Sequence, residues 1–148
     1  MERTFVILKP DAVQRGLMGA VISRFEAKGL KVVGAKFMKI PGDLAAKHYA
    51  VHQGKPFYEG LVKFMTSSPV LALALEGPNA IEVTRKIMGA TNGGKAEAGT
   101  IRGDYGISAS FNLVHGSDAP ETAAAELALW FRADELVDYK LSNQEWVY

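Results

Sequence analysis

The stretch TFVILKP at residues 4–10 has five apolar or β-branched side chains in a row, followed by lysine and proline. A short continuous apolar run is consistent with a strand that is buried on both faces. Proline has no N–H to donate to a strand ladder, so the strand should end at Lys9. Lys9 is therefore predicted to lie at the carboxyl end of a buried strand.

The chain beyond Pro10 predicts a helix and a second strand. Apolar residues recur every three or four positions from Met18 to Phe25, and Gly29 follows, as at the end of an amphipathic helix. The apolar run at 30–40 is typical of a strand. Further predicted elements are short helices at about 43–50 and 57–65, a strand at 70–75 and a helix at 79–88.

The last third of the chain predicts one more strand and one more helix. Residues 107–113 alternate apolar and polar side chains, which is the pattern of a fourth strand. Asp118 with Glu121 has the spacing of a helix capping pair, as does Asn79 with Glu82. The final helix carries an apolar stripe that ends at Trp130 and Phe131 in the sequence.

The order of these elements predicts the fold class. Two strand-helix-strand halves, with additional helices between and after them, suggest an α+β sandwich of the ferredoxin-like βαββαβ type with a four-stranded antiparallel sheet. A flavodoxin-like sheet is the alternative, but it would require a fifth strand. At 148 residues the chain is expected to form a single domain over residues 1–148.

The composition narrows the class of protein. A net charge of +1 gives no global field, so neither a specific nucleic-acid partner nor a membrane is expected. The absence of cysteine excludes thiolate zinc sites and thiol nucleophiles. The apolar run near the N-terminus is too short for a signal peptide or a membrane span. We therefore expect a cytoplasmic protein.

The sequence GATNGGKA at residues 89–96 nearly matches the P-loop pattern G-x-x-x-x-G-K-S/T. A P-loop follows a strand and opens a helix, whereas this segment follows a predicted helix and runs into another glycine. Ala96 also lacks the hydroxyl that would bind magnesium. We interpret residues 89–104 as a glycine-rich loop that is not a P-loop, since aperiodic segments of this length are usually functional or disordered.

The sequence NLVHGSD at residues 112–118 is the strongest candidate for chemistry. His115 ends a predicted strand and precedes Gly116, which has no Cβ to obstruct a substrate. Glu126 falls at the border of the apolar stripe of the last helix, where its carboxylate could accept a hydrogen bond from one ring nitrogen and leave the other unprotonated. Strict strand alternation places Asn112 and His115 on opposite faces, so both can line one site only if the strand bends or ends early.

His48 and His52 could be combined with His115 as a set of metal ligands. Their spacing straddles an apparent helix end and lacks an accompanying glutamate, so surface or turn positions are expected for both.

Three motifs of the chain resemble nucleoside diphosphate kinase: Lys9-Pro10-Asp11, residues 100–104 (TIRGD) and residues 112–118 (NLVHGSD). The similarity runs in order over essentially the whole chain. It implies a ferredoxin-like fold and reversible, ping-pong transfer of the γ-phosphate of a nucleoside triphosphate to a nucleoside diphosphate through a phosphohistidine. It also implies Mg²⁺ held mainly by the nucleotide phosphates rather than by a protein cage, and a homo-oligomer, with a hexamer favoured over a tetramer by the tail QEWVY.

The resemblance also assigns a role to individual residues. It makes His115 the nucleophile, Glu126 the residue that orients it, and Ser117 the support of that pair. Phe57 would stack on the base. The residues that would contact phosphate or sugar are Lys9, Tyr49, Arg85, Thr91, Arg102 and Asn112.

Four positions depart from the family pattern. Gly93 and Ala98 stand where proline is usual, which would loosen the loop by about 0.4–1 kcal/mol per site. Phe111 replaces a residue that is more often basic, and Ala12 one that is often glycine. None removes a catalytic group.

A nucleotide sensor that binds without turnover is the alternative from another functional class, and a P-loop ATPase dependent on Lys95 is a third.

Overall fold

The computed structural model describes all residues from Met1 to Tyr148. Four strands form one sheet in the order β2-β3-β1-β4, and every neighbouring pair is antiparallel. The strands are β1 (Glu2–Leu8), β2 (Lys31–Met38), β3 (Val70–Gly77) and β4 (Val114–Gly116). The predicted α+β class with a four-stranded antiparallel sheet is confirmed.

Seven α-helices surround the sheet. They are α1 (Pro10–Gln14), α2 (Met18–Lys28), α3 (Gly42–His48), α4 (Tyr58–Thr66), α5 (Ala80–Met88), α6 (Ile101–Tyr105) and α7 (Pro120–Trp130). Three short 3-10 helices lie at Ala50–His52, Ala133–Glu135 and Gln144–Trp146. None of these helices combines the length and the apolar character that a membrane crossing requires.

Strand β1 is buried on both faces, as its continuous apolar run predicts. Val6 and Leu8 belong to a core cluster that includes residues of α2 and α5, while Phe5 and Ile7 belong to a second cluster with residues of α3, α4 and α7. Successive side chains of a strand point to opposite faces, so a strand covered by helices on both sides needs apolar residues at every position. This position of β1 brings its carboxyl end, at Lys9, beside β4.

The predicted fourth strand over 107–113 is wrong. Residues 107–113 form a loop, and β4 begins only at Val114. The alternation of apolar and polar residues does not correspond to strand pairing, and two of its apolar residues are not buried: Ile107 is 88% exposed and Phe111 is also exposed. The loop predicted at 89–104 contains most of α6, whose first turn is capped by the Thr100 hydroxyl accepting from the Gly103 N–H.

Neither predicted helix capping pair forms. Asn79 adopts a left-handed conformation with no side-chain cap, and the Ile81 N–H donates instead to Glu2 Oε1 at 2.8 Å. At α7, Ala119 occupies the cap position and Pro120 begins the helix, so backbone geometry rather than a side chain starts it. The spacing rule failed at both sites because other local and tertiary contacts defined the helix start.

Gly93 lies directly against the backbone of Gly106. A Cβ added at Gly93 would lie 2.5 Å from the Gly106 carbonyl carbon. The Gly93 N–H also donates to the Ser108 carbonyl at 3.2 Å, a bond that proline could not make. Close packing and a backbone hydrogen bond thus hold the loop at Gly93, where the resemblance led us to expect proline.

Candidate active site

His115 lies in β4, opposite Ile7 of β1, and its ring is held by Glu126 of α7. His115 Nε2 is 3.0 and 3.1 Å from the two carboxylate oxygens of Glu126. An ionised carboxylate can only accept hydrogen bonds, so Nε2 carries the proton. The remaining ring nitrogen, Nδ1, therefore keeps a free lone pair.

The carboxylate of Glu126 is the centre of a small buried network. Ser117, itself buried, donates its hydroxyl to Glu126 Oε1 at 2.5 Å. Burial raises the pKa of Glu126, but the hydrogen bonds from His115 and Ser117 and the nearby His48 outweigh burial, so the net shift is downward. Glu126 is accordingly ionised near neutral pH and can hold the His115 ring in one tautomer.

The expected surface or turn position is wrong for His48. Its side chain is only 2% exposed, and its Nδ1 accepts a hydrogen bond from Trp130 Nε1 at 3.0 Å. Burial, followed by the charge of a protonated His115, lowers the pKa of His48 to about 4. His48 is therefore neutral at physiological pH. His52 ends a 3-10 helix, in agreement with the predicted turn.

His48, His115 and Glu126 offer donor atoms that all lie within 4.8 Å of one another, a spacing that could suit a metal ion. The hydrogen bonds argue against this use. Trp130 donates to Nδ1 of His48, so the Nε2 that faces Glu126 at 3.6 Å must carry a proton. His115 Nε2 is protonated as well. A metal ligand needs a lone pair, so the cluster as arranged is a hydrogen-bond network.

A turn at Leu113 separates Asn112 from the strand that carries His115, so the alternation of side chains along a strand does not apply between these two residues. Leu113 has φ of 72°, and the Val114 N–H donates to the Asn112 carbonyl at 2.8 Å, which closes a tight turn around Leu113. Asn112 therefore precedes the turn and His115 follows it in β4. The predicted bend before Gly116 exists.

Lys9 and Asn112 form a chain of hydrogen bonds that ends on the loop after α5. Lys9 Nζ donates to Asn112 Oδ1 at 2.8 Å, and Asn112 Nδ2 donates to the Thr91 carbonyl at 3.0 Å. Burial and the nearby charge of Arg102 lower the pKa of Lys9 to about 8. Lys9 lies at a strand end as predicted, and it is held there by its ammonium group.

Arg102 is buried, and its guanidinium group is clamped by three backbone carbonyls. It donates to Asn112 O at 3.2 Å, Gly89 O at 3.1 Å and Val114 O at 2.6 Å. Burial and the charge of Arg85 lower the pKa of Arg102 to about 10, so the group remains charged at neutral pH. Arg102 thus adds a fixed positive charge beneath the strand that carries His115.

Two clefts are lined by Tyr49, Arg85 and Phe57, three of the remaining candidate residues, whereas Thr91 lines neither. The first, of about 420 Å³, is lined by Tyr49, Arg85, His115 and Glu126 among others. Arg85 donates to the Gly116 carbonyl at 3.2 Å. The second, also of about 420 Å³, is lined by Lys9 and by Phe57; Phe57 is half exposed.

Trp130 and His48 are site residues that the sequence interpretation missed. Trp130 was interpreted only as part of an apolar stripe. The helical spacing places Trp130 beside Glu126 on one helix face, but it does not predict the hydrogen bond from Trp130 to His48. His48 is far from both in sequence, so no local pattern could connect it to them.

A family model for nucleoside diphosphate kinase matches residues 2–136 of the chain. The chain belongs to the nucleoside diphosphate kinase family. A nucleoside diphosphate kinase of Staphylococcus epidermidis is 56% identical over 148 residues, which is 100% of this chain and 99% of that protein. One from Roseiflexus castenholzii is 52% identical over the same lengths.

Solved structures of nucleoside diphosphate kinases have the same fold. A halophilic nucleoside diphosphate kinase of Halobacterium salinarum, in complex with CDP, superimposes with a TM-score of 0.96 at 53% identity and covers 99% of this chain and 98% of its own. A family protein of Babesia bovis gives 0.97 at 47% identity, with 100% of both chains covered. The ferredoxin-like fold is thereby confirmed.

Nucleoside diphosphate kinases are phosphotransferases that move the γ-phosphate reversibly from a nucleoside triphosphate to a nucleoside diphosphate through a phosphohistidine. The chain is an enzyme of this class.

Proposed function

We propose that His115 Nδ1 is the atom that carries the phosphoryl group. The observation behind this assignment is the hydrogen bonding of the ring. Nε2 donates to Glu126, which leaves Nδ1 as the ring nitrogen with a lone pair. An unprotonated nitrogen held in one orientation is what a nucleophilic histidine requires.

The transfer then balances without a net change in the ring's protonation. The Nδ1 lone pair forms a bond to the γ-phosphorus as the bond to the bridging oxygen of the leaving diphosphate breaks. The positive charge that develops on the ring is stabilised by Glu126, which keeps its hydrogen bond to Nε2. A terminal oxygen of a second nucleoside diphosphate attacks the same phosphorus in the reverse step.

The surrounding cations would bind and neutralise the phosphates. Lys9, Arg85 and Arg102 come from a strand end, a helix and a buried position beneath β4. A loose phosphoryl-transfer transition state is stabilised mainly by such positioned charge. Burial raises the pKa of the Tyr49 hydroxyl, so it stays protonated as a donor.

Phe57, Thr91 and Asn112 complete the proposed nucleotide site. The half-exposed ring of Phe57 offers a face for a base, and stacking accepts any base. Thr91 is exposed beside the Asn112 amide, so its hydroxyl could reach phosphate. CDP, which the Halobacterium structure contains, is a nucleoside diphosphate and thus fits this substrate class.

Mg²⁺ would enter with the nucleotide. Mg²⁺ prefers oxygen ligands in an octahedral arrangement and keeps several waters. Among the residues that line the His115 cleft, Glu126 is committed to His115 and Ser117, and Asp118 is the other carboxylate. One carboxylate beside an imidazole does not form a protein cage, so the phosphates would supply most of the ligands.

The test is direct phosphorylation. Incubation with ATP labelled at the γ-phosphate and no acceptor should give an acid-labile, alkali-stable phosphoprotein. A protein that binds nucleotide but does not become labelled would be the sensor instead. Lys95→Ala should keep wild-type turnover; loss of turnover in Lys95→Ala but not in His115→Ala would indicate a P-loop ATPase instead.

Replacing Glu126 with alanine should lower turnover without abolishing it. The ring loses its orienting acceptor while Nδ1 remains, so we expect kcat to fall by about 10- to 100-fold, as when an orienting hydrogen bond to a histidine is lost. Single-turnover phosphorylation measures this step. Glu121→Ala, an exposed change in the same helix, is the matched control and should leave the rate unchanged. A Glu126→Ala rate equal to wild type would remove Glu126 from the mechanism.

Activity should decline above about pH 8 as Lys9 loses its charge. Burial lowers the pKa of Lys9 to about 8, so the protonated form that binds phosphate is present below this value and is lost as pH rises. The profile of kcat/KM reports the free enzyme and should show this limb. In Lys9→Arg the limb should vanish, because arginine stays charged. A wild-type profile that stays flat to pH 10 would contradict this assignment.

We further propose that residues 1–148 form one catalytic domain that assembles into a cytoplasmic homo-oligomer, a hexamer rather than a tetramer. The support for an oligomer is the exposure of large side chains at the edge of the sheet and in the tail, including Phe37 of β2 and Trp146, and the preference for a hexamer rests on the resemblance of the tail QEWVY to hexameric members. Such residues suit burial against another subunit. Sedimentation would distinguish six subunits from four, and cell fractionation would test the location.

A further inference from the structure

The conformation of Leu113 is unusual for its residue type. Leucine rarely adopts a positive φ, and here φ is 72° at a fully buried position. The turn around it is closed by a bond from the Val114 N–H to the Asn112 carbonyl, which spans only three residues. Turns of this size with positive φ are rare and strained. Such a conformation persists only when surrounding contacts over-determine it.

The contacts that hold Leu113 come from the segment Lys9-Pro10-Asp11. The Leu113 carbonyl accepts from the Lys9 backbone N–H at 2.8 Å. The Leu113 N–H donates to Asp11 Oδ2 at 3.0 Å, in a buried environment. Both backbone polar groups of Leu113 are therefore hydrogen-bonded to this segment, and the Asp11 bond joins residues 102 positions apart.

The position of this turn sets three groups of the site. Asn112, directly before it, receives Lys9 Nζ on its side chain. The carbonyls of Asn112 and Val114, on either side of it, both accept from the Arg102 guanidinium. His115 directly follows Val114 in the chain. Any rotation at Leu113 would therefore move the nucleophile, Asn112 and Arg102 relative to one another.

Two ordinary roles for Asp11 do not account for its placement. It lies in the first turn of α1, but that helix has only five residues. Burial lowers the pKa of Lys9 and the charge of Asp11 raises it in part, but no hydrogen bond joins Asp11 to Lys9 Nζ, which is bonded to Asn112. Asp11 is only 8% exposed, and Oδ1 has no hydrogen-bond partner, which makes burial of this carboxylate costly. The single hydrogen bond made by the Asp11 side chain is the one from the Leu113 N–H.

We propose that Asp11 is a positioning residue that holds Leu113 in its left-handed turn and thereby aligns Asn112, Arg102 and His115 for phosphoryl transfer. This role rests on the proposed function of His115. The Asp11 side chain makes no hydrogen bond to His115, whose ring is bonded to Glu126. Its contribution is the acceptor oxygen at the Leu113 N–H.

The experiment compares Asp11→Ala, which removes the acceptor, with Asp11→Asn, which keeps one. At pH 7, Asp11→Ala should lower kcat by about 100-fold, the loss that a misplacement of about 1 Å can cause, with a smaller change in KM. Asp11→Asn should restore kcat to within a few-fold of wild type. If Asp11→Ala does not fold, Asp11→Leu, which has the same branching as aspartate but no acceptor oxygen, takes its place.

Backbone chemical shifts of Leu113 give a readout that does not depend on activity. They should report a left-handed residue in the wild type and in Asp11→Asn, and an ordinary conformation in Asp11→Ala. Val33→Ala, a buried change on β2 at the opposite edge of the sheet, is the destabilised control and should keep both kcat and the Leu113 shifts.

Unchanged Leu113 shifts or unchanged kcat in Asp11→Ala would overturn the proposal, and so would an Asp11→Asn variant as impaired as Asp11→Ala. Failure of the proposed function of His115 can be distinguished from failure of the proposed role of Asp11. It would appear as a wild-type enzyme that is not labelled at His115, while the Leu113 shifts would still test the role of Asp11.

Discussion

Replacing His115 with alanine should abolish phosphate exchange between nucleotides. The ring nitrogen forms the covalent intermediate, so both half-reactions lose their carrier at once. We expect a loss on the order of 10⁵- to 10⁶-fold in kcat, comparable with removal of a nucleophile from other covalent enzymes. The measurement is steady-state exchange from ATP to a second nucleoside diphosphate, combined with the labelling experiment.

His115→Gln separates the nucleophile from its packing. Glutamine can place an amide N–H near Glu126, but it offers no nitrogen with a lone pair for phosphorus. It should therefore be as inactive as alanine while retaining nucleotide binding. Lys95→Ala is the control in the glycine-rich loop and should keep wild-type exchange. Phosphate exchange by His115→Ala at the wild-type rate would falsify the phosphohistidine assignment.

Replacing Arg102 with methionine should cause the second largest loss. The proposed role of Arg102 is to place a fixed positive charge near the phosphates, and removing that charge should lower kcat/KM by about 10²- to 10³-fold, as when one preorganised donor is removed from an anion site. The same change leaves the Gly89 carbonyl and its neighbours without their donor. Unfolding free energy should decrease by about 1–3 kcal/mol for that reason.

Arg102→Lys distinguishes charge from geometry. Lysine keeps the charge but cannot reach three carbonyls in one plane, so activity should lie between methionine and wild type. Arg132→Met is the matched control, because Arg132 is largely exposed and pairs only with nearby acidic residues. Denaturant titration measures stability and initial rates measure activity. Equal activity of Arg102→Lys and wild type would show that charge alone matters.

Much of the fold followed from local patterns of the sequence. The run Phe5–Leu8 had to be buried on both faces, and Pro10 had to end the strand, because a proline offers no ladder donor. The errors occurred where a local pattern had no tertiary support. Residues 107–113 alternate like a strand but lie in an exposed loop, and Asn79 has the spacing of a cap but takes a left-handed conformation.

For the candidate site as well, some features could be predicted from the sequence and others could not. The NLVHGSD motif and the position of Glu126 on the border of an apolar stripe sufficed to pair the carboxylate with His115, and the structure has that pair at 3.0 Å. The burial of His48 and its bond to Trp130 were missed. These two residues are 82 positions apart, and only packing of α3 against α7 brings them together.

By itself the sequence determined which residues are apolar, where strands and helices can begin, and which histidine has a chemically suitable setting. Only the tertiary structure decided which nitrogen of His115 is free, how Arg102 is clamped and why Leu113 accepts a left-handed turn. The physical reason is how far apart in the sequence the interacting residues lie. Periodicity depends on neighbours along the chain, whereas a proton position or a strained backbone angle depends on hydrogen bonds such as the one from Leu113 to Asp11, 102 residues away.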